Sequence, residues 1–304
     1  MANPSAPYEE WDASKFWHAP ARNFRTSARL HLQHTLFQNV IGPNLLDPHV
    51  SESLSSSSTP LAIADLGCGN GAWLLDLSRQ LVAQDGGKNA NARLDGYDIN
   101  AINFPAAAFL PSNVTLSELN VLSPIPDSLK GIYDVVHIRA FVSCVMNEDT
   151  RPILSTALSL LKPGGWLQWE ESPPEKFLVE SPSPEVSKTN CEMISGIIAA
   201  GGKARGSTYK FVRSLDEEFR KNSFGDVHLR VKDKLRSDLK AWTDDYLMVW
   251  EELAPHFPLK AKAPQAPMNR EMWLDLFSKA VAETEKGVVI NQGQIIWAIG
   301  RKPL

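Results

Sequence analysis

Eight residues, Ala64-Asp65-Leu66-Gly67-Cys68-Gly69-Asn70-Gly71, carry the strongest chemical signal in the sequence. Glycines at 67, 69 and 71 let the backbone pass close to a ligand that side chains at those positions would block. The spacing differs from GxGxxG, whose loop sits over a pyrophosphate at a helix N-terminus. A GxGxG run preceded by Asp65 suits a ligand with a zwitterionic amino-acid end, with Asp65 accepting from an ammonium and the N–H groups of the loop receiving a carboxylate. Asp98, in Gly96-Tyr97-Asp98-Ile99, stands 27 residues beyond Gly71, where a carboxylate can accept both hydroxyls of a ribose. Asn120 then offers an amide to an adenine edge, and Val121 an apolar side chain to its face. Amino acid, ribose and adenine together describe S-adenosylmethionine.

Those residues need a sheet to bring them together. Short apolar runs alternating with amphipathic stretches begin after Pro60, the pattern of a parallel sheet with crossover helices. Strands are expected at 61–66, 94–97, 114–116, 133–138 and 166–169. A helix is expected over 71–82, directly after the glycines, and another over 150–161, ended by Lys162-Pro163-Gly164. Upstream, Ala28, Leu32, Leu36, Phe37 and Val40 recur at helical spacing and Gly42-Pro43 stops them. Ser51 to Pro60 is too poor in apolar side chains to offset its ordering entropy and reads as a flexible insertion. Beyond Glu171 the pattern loosens into helical stretches near 185–200, 208–222, 236–253 and 271–283, a proline-rich loop over 254–268, and a late strand at 294–299.

On these residues the chain resembles the class I S-adenosylmethionine-dependent methyltransferases over about 61–171. Asp65, Gly67, Gly69, Gly71, Asp98 and Asn120 fall on that superfamily's cofactor positions, with Asn120 where an Asp is usual. Ser27-Ala28-Arg29-Leu30-His31-Leu32-Gln33-His34, Val136-His137-Ile138-Arg139, the run from Leu161 to Glu171 and the terminal Trp297-Ala298-Ile299-Gly300-Arg301-Lys302-Pro303 look like fungal secondary-metabolite methyltransferases. The resemblance implies an α/β fold: a Rossmann-like seven-stranded sheet with its last strand antiparallel, helices on both faces, N-terminal helices, and a helical lid inserted after strand five. The expected organisation is a helical cap at 1–45, a serine-rich insertion at 46–60, a cofactor core at 61–171, a lid with strand six at 172–292, and strand seven at 293–304. Cys68, Ile99, His137 and Arg139 join the expected cofactor contacts, and S-adenosylhomocysteine is the implied product.

Methyl transfer from a sulfonium is an in-line displacement that needs alignment and exclusion of water more than a reactive side chain. A base matters where the acceptor atom is protonated. The candidates are His31 and His34 on the first helix, Arg139 at the end of strand four and Glu170 at the end of strand five, with Glu171 beside it. Tyr8 and Trp17, with Trp242, Tyr246 and Trp250 spaced four apart on one helical face, are candidates to line a pocket for an aromatic or polycyclic metabolite. Two other readings share the fold: a cyclase that binds the cofactor without transferring its methyl, and a regulatory protein that senses it.

Composition narrows the field. With 304 residues and a net charge of −4, the chain can bury a large core and has no basic stripe, which argues against nucleic acid or an anionic membrane as the partner. Cys68, Cys144 and Cys191 form no CxxC pair, so neither a disulfide framework nor a metal site is expected from them. Acidic residues and prolines at the N-terminus and the lack of any long apolar run point to a cytoplasmic protein. An NAD-dependent dehydrogenase is disfavoured by the glycine spacing.

Overall fold

Five short runs that read as strands form the parallel part of one sheet. The computed structural model describes residues 23–55, 59–83, 91–204, 206, 208–262 and 265–304. Strands β1 (Ala62–Leu66), β2 (Arg93–Asp98), β3 (Val114–Glu118), β4 (Tyr133–Arg139) and β5 (Leu161–Glu171) are joined by β7 (Gly225–Asp233) and β9 (Gln294–Arg301). Their order is β3-β2-β1-β4-β5-β9-β7. The first five pair in parallel, whereas β9 runs antiparallel to both β5 and β7. Two further strands, β6 (Leu178–Glu180) and β8 (Val289–Asn291), make a separate antiparallel pair. This is the expected seven-stranded α/β sheet, with β7 as the strand the apolar runs did not reveal. Its central residues, Val227 to Arg230, are only half-buried, so it lacks the continuous apolar character of an inner strand.

Helix α1 (Phe24–Ile41) starts where the Asn23 side chain accepts from Arg25 N and ends at Gly42, whose φ of 126° no β-carbon residue tolerates well. Helices α3 (Ala72–Ala83) and α4 (Arg151–Leu160) are the crossovers on the two faces of the sheet. Trp73, Leu74 and Leu77 of α3 pack on Ile63, Val135 and Trp166 of the sheet, and Ile153, Leu154 and Ala157 of α4 pack on Leu66, Ile138 and Trp169 on the other side. The alternation of β4 and β5 side chains between these layers follows from the two-residue period of a strand.

Within the stretch expected to be a loose insertion, α2 (Pro48–Leu54) is a helix, capped by Asp47 and anchored by the fully buried Val50. Pro48 at its first turn and Asp47 before it are start signals that the serine content obscured. Residues 56–58 of that stretch lie outside the described residues. After β5 come α5 (Thr189–Ala204), α6 (Leu215–Lys221), α7 (Leu239–Glu251) and α8 (Arg270–Thr284). Helix α6 packs Phe219 into the α4 layer, while α1, α5, α7 and α8 share a second core with β6 and β8, built on Phe37, Trp242, Tyr246, Trp250, Trp273 and Ile290. No helix among the described residues is long and apolar enough to cross a membrane.

Candidate active site

The strand order reverses direction between β1 and β4, because the chain moves outward through β2 and β3 before returning. Open α/β sheets bind ligands in the crevice beyond the carboxyl ends of their strands at such a point. The glycine loop lies there. Gly67, Gly69 and Gly71 have φ of 72°, 60° and 76°, all left-handed. A β-carbon on Gly67 would come within 2.8 Å of the Phe141 ring, and one on Gly69 within 2.9 Å of Leu30 Cδ1. Two elements therefore flank the bare backbone: α1 through Leu30, and the turn after β4 through Phe141. Sequence reasoning assigned neither residue, since an isolated apolar residue carries no signal of its own.

Asp98 reaches the same place from β2. Its carboxylate accepts from Gly69 N at 2.9 Å and from Asn100 N at 3.2 Å. The N–H groups of the loop are largely spoken for: Gly67 N and Cys68 N both donate to Tyr97 O at 2.7 and 3.0 Å, and Gly71 N donates to Cys68 O at 2.9 Å. This corrects the expectation that they would receive a ligand carboxylate. The glycines instead offer closeness of approach, and Asp98 offers charge. Ile99 beside it is half-buried. The Cys68 thiol is buried, and burial pushes its pKa well up, so it stays protonated.

Asp65 is also differently employed. Its Oδ1 lies 2.7 Å from His137 Nδ1, and the imidazole stacks flat on Trp73 at 3.7 Å between centroids. Burial disfavours charge on His137, but Asp65 and Glu170 outweigh it and raise its pKa. Any cofactor ammonium would therefore share the Asp65 carboxylate with the His137 ring. Asn120 is exposed and its Oδ1 accepts from Leu122 N at 3.1 Å, the ordinary cap of a turn. Val121 is 5% exposed within the α4-side core.

The residues expected to do acid–base chemistry make one chain of contacts. Glu170 is fully buried, accepting from Arg139 Nε and from Gln168 Nε2, both at 2.6 Å. Burial works against its charge, yet Arg139 and His137 hold its pKa down to about 2. A carboxylate so committed cannot take a proton from substrate, which overturns the catalytic reading of Glu170. Arg139 lies over the Phe37 ring at 5.0 Å and donates to His34 Nδ1 at 2.9 Å. His34 Nε2 is then the protonated nitrogen, 3.2 Å from Asp76. Burial first and Arg139 second lower the His34 pKa to about 4, leaving it neutral. His34 and Arg139 thus tie α1 to β4, β5 and α3 rather than facing a reaction centre. His31 is exposed and lines a cavity of about 260 Å³ between α1 and α3.

Trp242, Tyr246 and Trp250 stack on one another at centroid spacings of 6.0 and 6.2 Å and are buried. They are packed core between α7 and its neighbouring helices rather than an open aromatic wall, because each ring's face is covered by the next. Tyr8 and Trp17 lie outside the described residues. Beside the stripe is a buried polar cluster that spacing could not foretell, since it joins four separate segments. Lys234 donates to Ser172 Oγ at 2.7 Å, sits 4.0 Å above the Trp242 ring, and meets the Tyr246 hydroxyl. Burial lowers the Lys234 pKa to about 7, although Asp245 opposes it. Asp245, raised by burial to about 6 against the pull of Arg29, lies 3.7 Å from Arg29 Nη1. Asp245 Oδ1, Arg29 Nε and Trp242 Nε1 have no hydrogen-bond partner among the described residues.

Residues 64–167 match the family described as a methyltransferase domain. The chain is 36% identical over 163 residues to methyltransferase grgD of Penicillium sp, covering 54% of this chain and 55% of that protein. It is 31% identical over 152 residues to N-methyltransferase tcpN of Claviceps purpurea, covering 50% of each. Over the sheet's first strands the chain is therefore similar to a methyltransferase domain. Its match spans about half the length of these relatives. Among solved structures, phosphoethanolamine N-methyltransferase 2 of Haemonchus contortus aligns at 16% identity over 96% of this chain and 61% of that one, with a TM-score of 0.48. The match runs from residue 64 to 167, so it takes in the end of β1, all of β2, β3 and β4 and the first part of β5, while α1, α2 and the helices after β5 lie outside it.

Proposed function

We propose that this chain transfers the methyl group of S-adenosylmethionine to an oxygen, nitrogen or sulfur atom of a small-molecule secondary metabolite. The observation that carries the reading is the left-handed glycine loop at the sheet's reversal point, with the Asp98 carboxylate 2.9 Å from Gly69 N. The loop suits the cofactor because its left-handed glycines let Phe141 and Leu30 pack directly on bare backbone, where a β-carbon at 67 or 69 would collide with them. Asp98 would hold the ribose hydroxyls, since a carboxylate accepts through two oxygens with several lone-pair sites.

When bound, the cofactor supplies an activated methyl on a sulfonium leaving group. The protein's share is to orient and to exclude water. Leu30 and Phe141 close on the loop from two sides, and the brace from Asp65 through His137, Glu170 and Arg139 to His34 holds α1 in place over it. The acceptor would lie under α1 and α7, against Lys234, Asp245 and Arg29. Asp245 Oδ1 and Arg29 Nε are the unpartnered polar groups a substrate would satisfy, and a buried polar atom without a partner costs stability unless a ligand or water answers it. Lys234, whose burial lowers its pKa to about 7, can take the proton that an O–H or N–H acceptor releases.

Titration calorimetry with S-adenosylhomocysteine tests the cofactor site. Loss of two charge-assisted hydrogen bonds, each about 1.5–3 kcal/mol, predicts that Asp98→Ala weakens binding by roughly 10²–10⁴-fold while the circular dichroism stays that of the wild type. Wild-type affinity in this variant, or a wild-type chain indifferent to the ligand at millimolar concentration, refutes the assignment. Transfer itself is read by methyl-labelled cofactor with candidate amines, phenols and thiols: label in the product supports it, and an isomer of unchanged mass points to a cyclase.

A further inference from the structure

His49, Asp226 and His228 meet on the surface, on the side of the sheet away from the glycine loop. Their potential ligand atoms all lie within 4.8 Å of one another. His49 Nε2 is 3.2 Å from Asp226 Oδ2, and His228 Nε2 is 3.0 Å from Asp226 Oδ1. The two imidazoles lie 4.6 Å apart between centroids. Strand β7 begins opposite Arg301, which also pairs with Trp166 near the start of β5, so this cluster sits at the edge where the parallel strands begin.

Each donor is held by its own support. His49 is the second residue of α2, with its N–H on the Asp47 carboxylate and its ring edge-on to Trp166 at 5.3 Å. Asp47 is itself fixed by Arg230 at 2.6 Å and by Trp297 Nε1 at 3.2 Å. Asp226 and His228 come from the irregularity at the start of β7, where the pairing with β9 shifts between Gly225 and His228. Asp226 there adopts a left-handed φ of 44°, a conformation that side chains disfavour. Exposed ion pairs contribute little, so pairing alone gives weak reason to keep a strained aspartate between two histidines. Strained residues gather at ligand sites.

We propose that His49, Asp226 and His228 form a binding site for one divalent transition-metal ion of the zinc type. Two imidazole nitrogens and one carboxylate oxygen are a donor set for zinc, nickel, copper or cobalt, whereas magnesium and calcium prefer oxygen throughout. Zinc–ligand lengths of about 2.0–2.2 Å place tetrahedral donors roughly 3.3–3.6 Å apart, close to the spacings already present between the carboxylate and each ring. The donors are partly exposed, with side-chain exposures of 39%, 46% and 40%, which leaves room for water as a fourth ligand. The ion clips α2 to the edge strand β7, joining residues far apart in sequence. This site is independent of methyl transfer.

The test is calorimetric titration of the tag-free, EDTA-treated full chain with ZnCl₂, with CoCl₂ as a second probe read by its visible absorption and MgCl₂ as comparison. One zinc binds per chain and raises the thermal midpoint, cobalt develops visible bands, and magnesium gives no saturable heat. His228→Ala and Asp226→Gly each weaken zinc binding at least about 10-fold, the loss that even an outer-shell partner causes. Both leave S-adenosylhomocysteine affinity as in the wild type, showing that the variants fold. No saturable zinc binding by the wild type, affinity unchanged in both variants, or equal binding of magnesium overturns the proposal.

Discussion

Glu171→Gln gives the most direct reading of how this molecule handles charge beside its glycine loop. Glu171 is fully buried, and its Oε1 accepts from Phe141 N at 2.8 Å and from Trp169 Nε1 at 2.6 Å, while Oε2 has no partner among the described residues. Burial, with a further push from Glu170, raises its pKa from 4.5 to about 8 against the hydrogen bonds it accepts. The folded-state pKa therefore lies above the unfolded one, so the protonated acid's contribution is complete below pH 4.5 and lost as pH rises toward 8. Each pH unit in that window removes about 1.4 kcal/mol, and the full span up to about 5 kcal/mol. Glutamine keeps the acceptor oxygen and cannot ionise, but it buries an amide N–H group at a cost of about 1–3 kcal/mol. The wild type is expected to be the more stable at pH 5 and the variant at pH 8, the difference growing by about 1.4 kcal/mol per unit between pH 5.5 and 7.5. Urea unfolding followed by tryptophan fluorescence at four pH values measures it, and other titrating groups cancel in the difference. A difference that stays constant with pH, or grows the other way, shows that Glu171 is ionised in the folded state and refutes the argument.

Gly69→Ala and Gly131→Ala form a controlled pair, because both glycines are left-handed, at 60° and 65°, but only Gly69 has a neighbour, Leu30, where the β-carbon would go. Each should lose about 1–2 kcal/mol of stability by chemical denaturation, while only Gly69→Ala weakens S-adenosylhomocysteine binding; equal affinities would remove the loop from the cofactor site. Lys234, pulled by burial to about 7 from 10.5, makes wild-type stability rise with pH between those values, since the unfolded chain still holds the proton. Lys234→Met should flatten that rise by about 1.4 kcal/mol per unit between pH 7.5 and 9.5 in the same denaturation assay, and parallel curves would show that the lysine is solvated.

Much of the sheet was legible because its signals are local. The runs at β1, β2, β3 and β4, the glycines that let the chain turn after β1, and the Gly42 stop of α1 each depend on a few neighbouring residues, whereas Lys162-Pro163-Gly164, expected to end α4, lie inside β5. Strand β7 was not legible, since its half-buried residues at the sheet edge need no apolar run. Helix α2 was hidden by serines whose exposed side chains say nothing against a helix held by Val50 on its buried side. The aromatic spacing of Trp242, Tyr246 and Trp250 correctly marked one helical face but left open whether that face met a ligand or other rings.

The sequence by itself determined the α/β class, the position of the bare-backbone loop and the arrival of Asp98 beside it, because strand period, glycine conformation and loop length act over short stretches of chain. Tertiary structure alone decided what the ionisable side chains do. Glu170 and Glu171 are adjacent and chemically identical, yet alternation sends one to Arg139 with a pKa of about 2 and the other into an apolar layer with a pKa of about 8. Proton affinity is set by burial and by partners brought from distant segments, and those are properties of the packed molecule.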